Sequence, residues 1–217
     1  MRGGGLYNTG QAMLTNVTLA GNSASRGATG HAQGGGIFNG PNGSVVLRNT
    51  IVANNTARDG AAPVLMNCAG GMTDGGHNLD DGTSCGFTAA NGSLSNTDPP
   101  LDPAGLRDDG GPTQTIALLP GSPAIDAGGP GCPPTDQRGV SRPHGAACDI
   151  GAYEFVPVMC TGDCRGTGAV AITDLLTLVN IILGNAQFLT CVTGVPSGAQ
   201  VNVALILQAV HNGLNGC

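Results

Sequence analysis

In the first part of the chain, apolar residues alternate with small polar ones in short runs, Met13, Val17 and Leu19 in one place and Val45, Leu47 and Ile51 in another, and Gly and Asn separate the runs. Period-two alternation predicts strands, and Asn and Gly mark the corners because both tolerate positive φ. The wording itself returns. Gly3-Gly4-Gly5-Leu6-Tyr7-Asn8 comes back as Gly34-Gly35-Gly36-Ile37-Phe38-Asn39 at a shift of 31, and the segment Leu14 to Ala24 comes back as Leu47 to Ala57 at a shift of 33. One such unit cannot bury its apolar face alone, whereas a stack of them makes a continuous core. The expected fold is a right-handed parallel β-helix, with Leu6, Val17, Leu19, Ile37, Val46 and Ile51 facing inward and outward Asn and Thr forming ladders. Past Phe155 the spacing changes to three and four. Ile172, Leu175, Leu176, Val179, Ile182 and Leu183 predict one helix, and Val203, Ile206, Leu207, Val210 and Leu214 predict a second, 31 residues on. Packed face to face, the two helices would bury both stripes. The expected division is residues 1–156 and 157–217.

Composition narrows the class. The 217 residues include 38 Gly and no Trp, all basic residues are Arg, and Glu154 is the sole Glu. So little helix-forming material excludes a mostly helical protein. The 40 % hydrophobic and 10 % charged content excludes a disordered chain, and the glycines lack collagen's strict period. A net charge of −6 without a basic run argues against nucleic acid as a partner. The stretch Ile172 to Leu183 is too short and too interrupted to span a membrane. Eight cysteines point to an oxidising, extracellular or cell-surface setting, although Met1 to Gly5 does not open a signal peptide. Gly3 lies in mid-repeat, so the expectation is the C-terminal piece of a longer secreted protein, most simply a monomer.

Three stretches bring families to mind. The phrases Gly34 to Asn39 and Asn49 to Ala57 resemble β-helical repeats of bacterial surface proteins of the polymorphic outer-membrane type. Gly110 to Gly128, Thr135-Asp136-Gln137-Arg138-Gly139 and Cys148 to Glu154 resemble the choice-of-anchor Q domain, which implies a β-helix in a secreted or surface protein and no established catalysis. Gly162 to Asp174, continued by Asp174-Leu175-Leu176 and Val179 to Gly184, resembles a type I dockerin, an EF-hand variant whose loops bind Ca²⁺ and whose helices dock on cohesin modules.

The dockerin resemblance places Asp163, Thr167, Ala169 and Asp174 at Ca²⁺-ligand positions, the Ala169 carbonyl included. It also places Arg165 where an oxygen ligand is needed, and a guanidinium there repels the ion or stands in for it. A metal-free loop held by its cysteines is the preferred reading. The second loop, Gly194 to Leu205, puts Pro196, Gly198 and Leu205 at ligand positions and is not a metal site. Four cysteines in the small domain allow three connectivities. The resemblance favours Cys160 with Cys217 and Cys164 with Cys191, the second tying the two loops. In the larger domain Cys68 with Cys85 and Cys132 with Cys148 would each close a loop of about 15 residues. Zinc is disfavoured by the spacing.

Catalysis needs its own test, because β-helices also carry carbohydrate-active enzymes. Asp126, Asp136, Arg138, Arg142, Asp149 and Glu154 fall close together in sequence, and paired carboxylates suit glycoside hydrolysis. The competing reading is an ion-pair network ending the repeat, with Arg138 bridging Asp126 or Asp149. Asp98, Asp102, Asp108 and Asp109 are expected in a solvated loop, and His31, His77, His144 and His211 singly on the surface. The function expected is non-enzymatic, adhesion or carbohydrate contact by the β-helix and attachment to an envelope component by the helical pair. The alternatives are a polysaccharide lyase or hydrolase, and a literal cohesin-binding component using Thr177, Asn180, Gln208 and His211.

Overall fold

The computed structural model describes residues 2–25, 31–58, 62–157, 160–191, 193–195 and 199–216. The chain divides into two compact units, Met1–Phe155 and Val156–Cys217. The first is mainly β. Its first repeat supplies β1 (Leu6–Asn8), β2 (Gln11–Thr15), β3 (Thr18–Ala20) and β4 (Ser23–Ser25). The second supplies β5 (Ile37–Asn39), β6 (Ser44–Arg48), β7 (Ile51–Ala53) and β8 (Thr56–Arg58), followed by β9 (Pro63–Leu65). Shorter strands follow: β10 (Cys68–Ala69), β11 (Thr73–Asp74), β12 (Leu79–Asp80) and β13 (Leu94–Ser95).

Pairing follows the repeat. β1 lies parallel to β5 with Leu6 opposite Ile37, β2 to β6 with Leu14 opposite Leu47, β3 to β7 with Thr18 opposite Ile51, and β4 to β8 with Ser23 opposite Thr56. The offsets of the self-comparison are therefore the registers of the sheets. The third layer adds β10 to β5, β11 to β6 and β12 to β7, and β13 extends the sheet beyond β12. Among the described strands β9 alone pairs antiparallel, along β8.

Parallel strands in register bring each residue over its repeat equivalent, and this decides where the asparagines go. Asn39 Oδ1 accepts from Asn8 Nδ2 at 2.8 Å. Asn55 Oδ1 accepts from Asn22 Nδ2 at 2.9 Å, while its own Nδ2 donates to Asn67 Oδ1 at 2.9 Å. Asn16 and Asn49 stack as well, each in the left-handed region at φ 52° and 49°. The expected outward Asn ladders are instead buried at the corners: Asn8, Asn16, Asn39, Asn49, Asn55 and Asn67 are all below 9 % exposed. An amide buried there can cap the free backbone groups of a sharp turn, which an outward one would leave to water.

Two cores flank the sheet of β3, β7, β12 and β13, the third sheet in chain order. Inside lie Ile37, Val45, Leu47 and Val52 with Cys68, Cys85 and Phe87, and Leu6, Leu14 and Leu19 pack against them. The expectation for Val46 is off by one position: Val45 and Leu47 are buried while Val46 is partly exposed, and its ladder partner Met13 is 75 % exposed. Successive strand residues face opposite ways, so a one-residue shift exchanges the faces. Ile51 also departs from expectation. With Ala53 and Leu79 it forms the other core, against Leu118, Ala124 and Ile150. Among the described residues 97–155 there is no strand, only isolated bridges such as Leu101 with Leu118 and Thr135 with Ser141. The segment expected to close the repeat as a terminal layer lies against the third sheet instead.

The second unit holds α1 (Ile172–Ile182) and α2 (Val203–Asn215). Asp174 accepts the Ala171 N–H at 2.8 Å, and Asn202 Oδ1 accepts the Leu205 N–H at 3.0 Å, so each helix start is capped. Leu178, Leu205 and Ala209 are buried with Val170, Cys160, Cys191 and Val195. Of the stripes expected to be buried, Leu175 and Ile206 pack against this core, but most of the other members are exposed. Ile172 (75 %), Leu176 (58 %), Leu183 (64 %), Val203 (69 %), Leu207 (65 %) and Leu214 (79 %) face solvent. α1 is apolar on two faces, so periodicity could not choose between them, and the buried face is the one that carries Asp174 into the loop before it.

Candidate functional site

The Asp/Glu/Arg constellation does assemble, as a closed knot. Glu154 is 1 % exposed. Its Oε2 accepts from Arg142 Nη1 at 2.8 Å and from the Asp149 N–H at 2.9 Å, and its Oε1 accepts from the His144 N–H at 2.7 Å. Arg142 also donates to the Asp149 and Gly151 carbonyls, and its Nε is buried without a partner. Asp136 accepts from the backbone N–H groups of Arg138, Val140 and Glu154 and from Arg138 Nε at 2.9 Å. The Arg138 guanidinium lies 3.5 Å from the centre of the Tyr153 ring. Arg138 therefore pairs with Asp136, two residues away in the same turn, not with Asp126 or Asp149 as expected.

The electrostatics are those of a structural lock. Burial pushes the Asp136 carboxyl up, but the N–H of Glu154, the Arg138 side chain and further backbone donors outweigh it and hold the group below the usual range. Asp149 goes the other way, to about 6, because burial leads and Glu154 and Asp126 add negative charge against only two backbone donors, Phe155 and Asp126. A raised carboxyl is what a general acid needs, but Asp149 is 2 % exposed and both its oxygens hold backbone N–H groups. Asp126, at φ 55°, is the exposed member and accepts the Ala147 N–H at 3.1 Å. The oxygens of Asp136, Asp149 and Glu154 are thus filled by donors of the same segment, which ties the turns of residues 134–155 together.

In the second unit Asp163, Thr167, Ala169 and Asp174 are gathered around nitrogen donors. Arg165 Nε and Nη2 reach Asp174 Oδ1 and Oδ2 at 3.0 and 3.1 Å. Burial raises Asp174, and the Arg165 guanidinium together with the Ala171 and Cys164 N–H groups more than reverses this. Asp163 accepts the Gly168 and Arg165 N–H groups, and Thr167 Oγ1 lies 3.3 Å from it and 3.1 Å from the Ala169 carbonyl. Arg165 and backbone N–H groups thus occupy the Asp163 and Asp174 carboxylates. Among the described residues no group of three or more His, Cys, Asp or Glu side chains is placed to hold a metal ion. Pro196 and Gly198 of the second loop lie outside the described residues.

Disulfides join Cys68 to Cys85, Cys132 to Cys148 and Cys164 to Cys191, and these are compatible with an extracellular location. The Cys160–Cys217 pairing falls on Cys217, outside the described residues. No helix among the described residues is long and apolar enough to cross a membrane.

Asp98, Asp108, His31, His144 and His211 are exposed as expected, whereas Asp102, Asp109 and His77 are more shielded. The stretch around Asp98, Asp102, Asp108 and Asp109 is an exposed loop for the most part, but within it the shielded Asp102 and Asp109 clamp Arg107, each at 2.9 Å. His77 is half-buried at a corner, its Nδ1 3.0 Å from the Ala127 carbonyl. Asp80 is a buried carboxylate that the sequence reading missed. It accepts from Asn67 and from the N–H groups of Gly82 and Cys85, and the turn wording Asp80-Asp81-Gly82 was its only signal. No protein-family model, curated protein or solved structure matches the chain.

Proposed function

We propose that this is a non-enzymatic exported attachment protein, in which a right-handed parallel β-helix displays an adhesive or carbohydrate-contacting lateral surface and the helical unit docks on a cohesin-like protein module. The observation that carries the docking role is the pair of exposed apolar stripes. Along α1 and its C-cap they run over Ile172, Leu176, Val179 and Leu183, and on α2, at a constant shift of 31, over Val203, Leu207 and Leu214, with the partly buried Val210 in the same register. Scattered exposed apolar residues need no explanation, but two stripes at helical spacing ask for a partner. The unit's three charged side chains, Asp163, Arg165 and Asp174, are drawn together at the loop, which leaves both stripes uncharged.

The β-helix reading is supported by four sheets whose first two layers pair in parallel at offsets of 31 and 33. The choice-of-anchor Q resemblance of residues 110–154 supports surface attachment, and the saturated knot supports a structural reading of that segment. In the dockerin-like loop, Arg165 serves as a built-in cation, so docking is independent of Ca²⁺.

Surface plasmon resonance of the full chain on immobilised cohesin modules tests this, with and without a chelator. The expected result is binding that survives chelation and falls at least tenfold in Leu176→Asp/Leu207→Asp, whose helicity is unchanged because both sites are exposed. Absence of binding, binding indifferent to the double substitution, or cleavage of polysaccharide by the purified chain would sink the proposal.

A further inference from the structure

Strand β6 buries Val45 and Leu47 and therefore turns Arg48 outward, to the mouth of a cleft of about 350 Å³ that Asp74, His77, Asn91 and Pro130 complete. Arg107, Arg138, Arg142 and Arg165 each grip a carboxylate. Arg48 grips nothing: among the described residues its guanidinium makes no hydrogen bond and no ion pair.

The carboxylate that lines the same cleft holds other donors and keeps spare accepting capacity only at Oδ2. Asp74 Oδ1 accepts from the Gly76 N–H, Asn78 Nδ2 and Ser93 Oγ, and Oδ2 accepts the Thr88 N–H. Asn91 Nδ2 donates to the Asp74 carbonyl, which leaves its side-chain oxygen free. The wall opposite is rigid. His77 sits at φ 53°, held through Nδ1, and its ring lies so close to Gly92 and Gly129 that a Cβ on either would come within 2.9 and 2.1 Å of it. A preformed polar cleft of this size lies at the small end of ligand sites.

We propose that this cleft binds a small carboxylated, hydroxyl-rich ligand, a sugar acid. Arg48 would fork the carboxylate with two parallel N–H bonds, the geometry a planar guanidinium favours. Asn91 and Asp74 would take ligand hydroxyls, and Pro130 would cover the carbon face. A neutral sugar leaves Arg48 without a counter-charge. A bare inorganic anion can pair with Arg48 but offers Asn91 and Asp74 no array of hydroxyls. This site belongs to the first unit and stands apart from the docking stripes, so either proposal can fail without the other.

Titration of the full chain with D-glucuronate, D-glucose and inorganic phosphate, followed by calorimetry, tests the assignment. Saturable glucuronate binding is expected, weakened by added salt and at least tenfold weaker in Arg48→Gln, with glucose at least tenfold weaker than glucuronate. Arg48 is exposed, so the variant should melt as the parent does. The assignment is overturned if glucuronate does not bind at millimolar concentration, if Arg48→Gln binds it equally, if glucose matches it, or if phosphate displaces it with equal affinity.

Discussion

Single residues show how burial decides a role that composition leaves open. An asparagine-rich chain reads as polar surface, yet Asn55 is 0 % exposed and serves three layers at once, accepting from Asn22 and donating to the Leu19 carbonyl and Asn67. Asp149 and Asp136 lie in one knot and shift in opposite directions, because one has two backbone donors and the other has an arginine and three. The consequence is a pH optimum. Asp149 binds its proton more tightly folded, at about 6, than at the unfolded value of 3.8, so its contribution is full below pH 3.8 and is lost as pH rises through 6. Asp74, Asp136 and Asp174 are lowered, so their contributions are present above 3.8 and are lost as pH falls below it. Thermal midpoints measured from pH 3 to 8 should peak between about 4 and 6, and Asp149→Asn should flatten the decline on the alkaline side. An unchanged decline in that variant would remove Asp149 as its source.

Elements follow the repeat more closely than they follow hydrophobic period. The strand offsets were legible because parallel pairing in register preserves sequence spacing, whereas the buried face of each helix was not. In α1 apolar residues lie on more than one face, and the observed rotation is the one that buries Leu178 and carries Asp174 to Ala171 and Arg165. Substitutions should separate the faces. Leu178→Ala, at 0 % exposure, should cost about 2–5 kcal/mol, as large-to-small core changes do. Leu176→Ser, on the exposed stripe, should stay within about 0.5 kcal/mol. Urea denaturation followed by helical circular dichroism checks both, and equal costs would mean that α1 is buried on both sides.

At the scale of the molecule, stability in the first unit depends on a cover as well as on stacking. Ile51 and Leu79 leave the inner core and meet Ile150 and Leu118 from the strandless segment. The inner core in turn carries the Cys68–Cys85 bridge, whose residues are 17 apart. Replacing both cysteines by Ala should lower stability by about 3 kcal/mol in the chain-entropy account, read as a shift in the urea midpoint. A loss much below 1 kcal/mol would show that packing around Phe87 holds the loop unaided.

Spacing along the chain was enough to read whatever repeats or is local: the strands, their parallel offsets, the two helices, the corner asparagines, and the cysteine pairs whose described members join across short loops. These depend on spacing along the chain, which a single sequence contains in full. Only the tertiary structure decided which side of each element is inside, that residues 97–155 lie against a sheet and do not extend the repeat, that Arg138 takes Asp136 while Arg142 takes Glu154, and that Arg48 is left free. Those outcomes depend on the donors and apolar atoms that distant segments bring to a given face, and that competition is settled only when the segments meet.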